Sequence, residues 1–551
     1  MRKIGLIFIA FFCYSVLHAQ IDVEKLKKHI YSLADDSMEG RNTATPGGAM
    51  AAKYIAQEFS QIGLTTKTTN NSFLQAFTYY AGKEYQGKNY LTIGKKNYEL
   101  NKDYYAINYS SNGLLKGAIV NVNQGLELPK ESSDFENIKL IGKVAMIDIG
   151  YPAGFDPHSE NAKYADIPTR IDNAIKYGAK GIIFYKSDTA QEDLSNGFDR
   201  KVKESAIPIV YIKSYNASLT YTKVNAEVSL KKITKTADNI VGFINNNKPY
   251  TIVIGAHYDH LGYGENGNSL YRGQNKEIHN GADDNASGVA SIIEIARNLK
   301  NSSEKNYNYL ILAFSGEELG LYGSKSFVEN ISNQVDSAHI ACMINLDMVG
   351  RLGEKDKNLE INGIGTAAEW SVILKNISID NIRVKEGMNG IGPSDHTSFY
   401  LNNIPVLHFF TGQHEDYHKP TDDAAKINFE GMSKVCQYII AVVMQLNSLP
   451  KLSYIKTKED NNENTPKFKV TLGVIPDYMF DGEGMRIDGV TEGKAASKAG
   501  LIKGDIVTQL GELQVTDMSS YMKALSQFTK GQQTTVTFIR DREKKQSNIT
   551  F

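Results

Sequence analysis

Gly281-Ala282-Asp283-Asp284-Asn285-Ala286-Ser287-Gly288 and Phe314-Ser315-Gly316-Glu317-Glu318-Leu319-Gly320 set carboxylates between small residues, each beside an apolar run. The first leads into a helical pattern over 288–299. The second closes an apolar run over 307–314. Three more such runs lie at 250–256, 340–346 and 404–410, and a second helical pattern covers 322–330. Continuously apolar strands alternating with helices specify an α/β fold, a mainly parallel mixed sheet flanked by helices. Such sheets bind ligands beyond the carboxyl ends of their strands.

The polar residues gather at those ends. The first run continues into His257-Tyr258-Asp259-His260, the second into Ser315-Gly316-Glu317-Glu318, and the third ends in Asn345-Leu346-Asp347-Met348. The fourth leads to His414-Glu415-Asp416-Tyr417-His418, and Asp284 stands ahead of a helix with Asn285 and Ser287 as cap residues. Carboxylates left unpaired in a cleft cost several kcal/mol each, so a bound cation is the simplest account of the pattern. Imidazole mixed with carboxylate suits zinc.

In order and local context, His257-x-Asp259, Gly281-Ala282-Asp283-Asp284, Glu317-Glu318, Asn345-Leu346-Asp347-Met348 and Tyr417-His418 resemble the co-catalytic di-zinc aminopeptidases, relatives of glutamate carboxypeptidase II. The resemblance implies two Zn²⁺ per chain on a zinc aminopeptidase-like core. Asp284 would bridge both ions, His257 and Asp347 would complete one site, and Glu318 and His418 the other. Asp259 would accept the second ring N–H of His257 and fix its tautomer. Glu317 would be the general base beside a metal-bridging hydroxide, returning the proton to the leaving amine. Asp283 has no metal role on this reading.

The activity implied is release of N-terminal residues from peptides. Carboxypeptidase or dipeptidase action of the same family is the alternative, with Arg351 and Lys419 as groups for a terminal carboxylate. A one-zinc glutaminyl cyclase and a non-catalytic receptor-like relative are the remaining alternatives. His414 and Tyr417 are placed as partners of a ligand or of substrate. Ser394-Asp395-His396 resembles a family motif near the active-site wall, where Asp395 or His396 would orient substrate or buttress a ligand. His260 and His279 are expected to be surface or loop histidines.

Outward from the core, 551 residues are too many for a single core. Lys and Arg total 61 against 62 Asp and Glu, a formal net charge of −1 that provides no footprint for nucleic acid. Arg2 and Lys3 precede a mainly apolar run with small Ala19 before Gln20, the pattern of a signal peptide over 1–19 and of export to the periplasm or beyond. Cys13 belongs to that run. Cys342 and Cys436 lie in apolar runs and read as buried free thiols. No later run approaches the ~20 apolar residues of a membrane span.

The expected organisation is an N-terminal part of the core over 20–110, an inserted unit over 111–235, the main core over 236–450, a polar linker over 451–466 and a last unit over 467–551. The insert is β-rich, and its strand order with Gly178-Ala179-Lys180-Gly181-Ile182-Ile183 resembles the protease-associated domain. The last unit resembles a PDZ domain. That resemblance implies a C-terminal peptide ligand, its carboxylate held by backbone N–H groups around Leu472, Gly473 and Val474.

Overall fold

The computed structural model of the protein describes residues 21–551 apart from 69, 129–132, 152–163, 189–191, 199–203, 215–221, 274, 304, 332–338, 458–469, 477–482, 491–492, 517–519, 522–523, 526, 530 and 542. The expected signal peptide, with Cys13, and most of the expected linker lie outside these residues. No helix among them is long and apolar enough to cross a membrane.

The four apolar runs form the centre of an eight-stranded sheet. Its order is Leu74–Tyr85, Leu230–Ile244, Asn308–Phe314, Thr251–His257, Ile340–Leu346, Val406–Phe410, Asn358–Asn362 and Arg383–Gly387. The four central strands are parallel to one another. The outer strands enter antiparallel on both sides. Every residue of Thr251–His257, Asn308–Phe314 and Ile340–Leu346 is buried, because helices cover both faces.

Side chains alternate across the sheet, so Ile252 and Ile254 face one layer and Val253 the other. The first layer holds helices Val23–Leu33, Pro46–Ile62, Gly288–Asn301 and Phe429–Leu446. The second holds Tyr322–Glu329 and the short helix His396–Tyr400. The Pro46–Ile62 helix begins at its proline, under a Thr45 side-chain cap, and stops at Gly63, where φ is 78°. Both cysteines are free and buried in the first layer.

The outer strands carry weaker sequence signals. Arg383–Gly387 has no buried residue, and Leu230–Ile244 is buried mainly in its second half. Leu74–Tyr85 pairs along Leu230–Ile244 from Leu74 opposite Ile240 to Tyr85 opposite Leu230. This ribbon takes the chain out of the core sheet and back.

Between its two strands the chain forms a second sheet, in the order Lys96–Tyr98, Tyr90–Ile93, Lys223–Val228, Gly113–Asn121, Val144–Asp148, Gly181–Tyr185, Ile209–Ile212 and Tyr104–Ala106. The expected boundary at 110 therefore falls inside this sheet: 90–106 pair with it and not with the core. The start of the expected linker is also not free. Leu452 is buried, Ile455 donates its N–H to Thr366 O at 2.8 Å, and Thr457 Oγ1 lies 2.9 Å from the Tyr400 hydroxyl.

The last unit is a separate sheet of Val474–Pro476, Met485–Val490, Ile506–Leu510, Gln533–Arg540 and Glu543–Thr550, with Leu513–Gln514 on the third strand. It closes over its own apolar core around Leu472, Val507, Leu510 and Val536.

Candidate metal centre

The parallel strands end at one edge, and the five expected ligands meet there. His257 is the last residue of its strand, and its Nε2 lies 3.2 Å from Asp347 Oδ1 and 3.5 Å from Asp284 Oδ1. His418 Nε2 lies 3.3 Å from Asp284 Oδ2 and 3.4 Å from Glu318 Oε2. Asp284 thus presents one oxygen to each histidine, the arrangement that a bridging carboxylate requires.

These spacings test the fit of a metal. A tetrahedral zinc with donors at about 2.1 Å separates those donors by about 3.4 Å. The four distances match such edges, although a direct hydrogen bond would also close some of them. His257 Nδ1 faces the carbonyl of Asp259 at 3.1 Å and His418 Nδ1 that of Asn268 at 2.9 Å. A carbonyl only accepts, so each Nδ1 donates its proton there and each Nε2 is left facing the carboxylates, where a metal ion would take its lone pair. The residues fit two zinc ions.

Asp259 differs from expectation. Its backbone carbonyl, not its carboxylate, meets the His257 ring, since Oδ1 is 3.9 Å away. The carboxylate instead accepts from the Thr43 hydroxyl at 2.8 Å and from the Glu317 N–H at 3.2 Å. It fixes the backbone of the Glu317-Glu318 turn. Glu317 itself is partly exposed, and its carboxylate lies within 4.8 Å of donor atoms of His257 and Asp347. Burial, with Asp347 and Asp395 nearby, raises its carboxyl well above the usual range against the pull of His257. Burial acts the same way on Asp284, but His260, His418 and His257 more than offset it and hold that group low.

The Asp283-Asp284 turn is braced by Asp422, which local sequence did not single out. Asp422 Oδ2 accepts the N–H groups of Asp283 at 2.9 Å and Asp284 at 3.0 Å, and Arg351 holds its other oxygen at 3.0 Å. Asp283 accepts from Gly350 N–H at 2.7 Å and contacts His414 Nε2 at 3.1 Å. His414 therefore partners Asp283 and no ligand. Asn285 caps the helix by accepting the Gly288 N–H, whereas Ser287 donates to the Asp283 carbonyl and accepts from Val349. The peptide between Asp284 and Asn285 is cis.

Arg41 braces the same loop from below. Fully buried, it donates to the carbonyls of Leu33 and Asn280 at 2.6 Å and of Tyr258 and Gly281 at 2.8 Å. An Arg41→Met change leaves these acceptors dry and unmatched, and should lower stability by about 3 kcal/mol or more in urea unfolding of the core. Arg41→Lys should not restore it, because one ammonium cannot span the fork.

Tyr417 stacks on His418 with ring centroids 3.8 Å apart. Asp395 and His396 are buried; burial pushes the Asp395 carboxyl up to about 7. His396 stacks on His408, with ring centroids 4.5 Å apart. His260 and His279 are not surface residues: both are buried, His260 against Glu318 and His279 on the Ser269 hydroxyl. Nothing in a Gly- and Asn-rich loop marks its histidines as buried, so this required the fold. Arg351 is engaged by Asp422 and Asp416, and half-buried Lys419 donates to the Glu415 carbonyl.

In the last unit, Val474 opens a strand that, among the described residues, pairs on one side only, with Met485–Val490. Leu472 is buried, and the Gly473 N–H is already taken by Thr471 Oγ1 at 3.0 Å, which removes one of the donors expected to hold a carboxylate.

Residues 239–443 match the model of peptidase family M28, and 456–551 that of the PDZ domain. Over 239–443 the core of this chain is thus similar to peptidase family M28. Aminopeptidase YwaD of Bacillus subtilis (strain 168) is 28% identical to the chain over 293 residues, which are 50% of this chain and 59% of that protein. A probable zinc metalloprotease of Pyrenophora teres f. teres (strain 0-1) is 30% identical over 153 residues, 28% of this chain and 30% of its own. The chain thus spans less than two thirds of the length of either relative. Among solved structures, the aminopeptidase from Aneurinibacillus sp. strain AM-1 aligns with 79% of the chain and 95% of its own length, at 23% identity and a TM-score of 0.45. The M28 segment contains all five residues of the two triads and Glu317.

Proposed function

We propose that the chain is a zinc-dependent aminopeptidase that releases N-terminal residues from peptides. The observation that carries this is Asp284 with one oxygen toward His257 and the other toward His418. His257, Asp347 and Asp284 would hold one zinc, and His418, Glu318 and Asp284 the other. Bound there, the ions supply Lewis acidity for the scissile carbonyl and bring the pKa of water at the site to about 7.

The chain's own groups do the rest. Glu317 stands outside both triads, takes the proton from the attacking water at its carboxylate and hands it to the leaving amine nitrogen. Asp259 keeps that carboxylate in register through the Glu317 N–H. Asp395, buried in the wall with its carboxyl raised, would be drawn to its charged form by a substrate ammonium. Arg351 is held by acids and Lys419 by a carbonyl, which counts against recognition of a terminal carboxylate and hence against a carboxypeptidase. The shared Asp284 counts against a one-zinc cyclase, and the full ligand set against a receptor-like relative. The N-terminal run is the basis for proposing export, and the strand at Val474 for proposing a peptide ligand of the PDZ domain.

Two measurements on the purified protein test the reading: zinc content, and release of the first residue from peptides with free and blocked amino termini. Two equivalents with turnover of free termini alone are expected. One equivalent, or turnover of blocked peptides alone, would sink it.

A further inference from the structure

His260 is buried completely and lies outside the two triads proposed above, with its Nδ1 within 4.8 Å of ligand atoms of Asp284 and Glu318. Its Nδ1 lies 2.8 Å from Glu318 Oε1, the oxygen that does not face His418. Its Nε2 is buried with no hydrogen-bond partner among the described residues. The ring stands edge-on to His418, with centroids 5.9 Å apart at 70°. Gly281 makes room for it: a Cβ there would sit 2.4 Å from His260 Cδ2, and Gly281 has a φ of 54°.

We infer that His260 is a positioning residue for Glu318: its Nδ1–H holds Oε1 and thereby presents Oε2 to the metal shared with His418. The inference rests on the two-zinc reading above. Distance separates this role from ligation. A contact of 2.8 Å is a hydrogen bond, shorter than the about 3.4 Å between two donors of one zinc, and the nearest Asp284 oxygen is 3.7 Å away. The two centres are then supported differently. His257 and His418 are each oriented by a backbone carbonyl, while Glu318, on a turn rich in glycine, has a side chain to orient it. Such outer partners typically contribute 10–100-fold in metal affinity.

The test is zinc titration of the full chain against a chromophoric chelator, compared among wild type, His260→Ala, His260→Asn and His260→Gln. Wild type should bind two zinc ions. His260→Ala should hold one at the wild-type affinity and the other about 10–100-fold more weakly. His260→Asn, whose amide nitrogen falls near the Nδ1 position, should restore the weakened site; His260→Gln should not. The weakened ion should be the one lost in His418→Ala, with the two changes less than additive in the double variant. The metal-free proteins should melt together, which separates orientation from packing.

Two ions at wild-type affinity in His260→Ala would overturn the inference while leaving the two-zinc reading intact. Equal losses in His260→Ala and His260→Asn would overturn it in favour of direct ligation. Should His260→Ala not fold, the contrast between Asn and Gln carries the decision alone. Fewer than two ions in wild type would overturn the two-zinc reading and this inference with it.

Discussion

Glu317→Gln should lower kcat by about 10²–10⁴-fold while the protein still holds two zinc ions. The substitution keeps the shape of the side chain and removes the only function assigned to it, acceptance of a proton. Its backbone is held independently, through the N–H donated to Asp259 and a glycine at 316 with φ of 73°. The carboxylate reaches within 4.8 Å of donor atoms of His257 and Asp347, but the short contacts that define the two triads do not include it. KM should therefore change little, since a base acts on the transition state more than on bound substrate. Burial and neighbouring acids raise its carboxyl, and cations in the two triads would lower it, so the two effects on the base oppose each other. Full activity in the variant would remove Glu317 as the base. Loss of zinc would make it a ligand.

Asp284→Ala should be more damaging. It removes the one side chain common to both triads, so both ions should weaken together, whereas His257→Ala and His418→Ala should each weaken one. Turnover of a peptide with a free amino terminus should fall by at least about 10⁴-fold, several kcal/mol of transition-state stabilisation. The same variant should lose most of the thermal shift that zinc confers on wild type. At free zinc about 1,000 times Kd that shift corresponds to about 4 kcal/mol, and so to roughly 10 °C for a core of this size. Calorimetry with and without a chelator reads the shift directly. A variant that kept one tight zinc would show that Asp284 belongs to a single site.

The central sheet was legible because a strand buried on both faces must be apolar along its whole length, and such runs stand out between helical patterns. The run over 340–346 matches its strand residue for residue. The meeting of the five expected residues was legible for a related reason. A parallel sheet places its carboxyl ends on one edge, so polar residues that follow successive strands meet there whatever their distance in sequence. Asn358–Asn362 and Arg383–Gly387 were not legible, because outer strands half open to solvent lack that apolar run. The boundary at 110 moved because the polar, tyrosine-rich strands between 90 and 106 pair with a partner more than 100 residues further on.

By itself, then, the sequence determined the fold class and brought His257, Asp284, Glu318, Asp347 and His418 to the sheet edge, since both follow from local apolar periodicity and strand order, but it missed His260 at the same edge. Only the tertiary structure decided which oxygen faces which nitrogen. It gave Asp284 an oxygen for each histidine, assigned the Asp259 carboxylate to Thr43 and Glu317, brought Asp422 to the Asp283-Asp284 turn across 138 residues, and buried His260 against Glu318. A polar side chain carries no local mark of its partner. Its partner is set by loops that meet only after the sheet has formed, and by the need of each buried donor and acceptor to find a match.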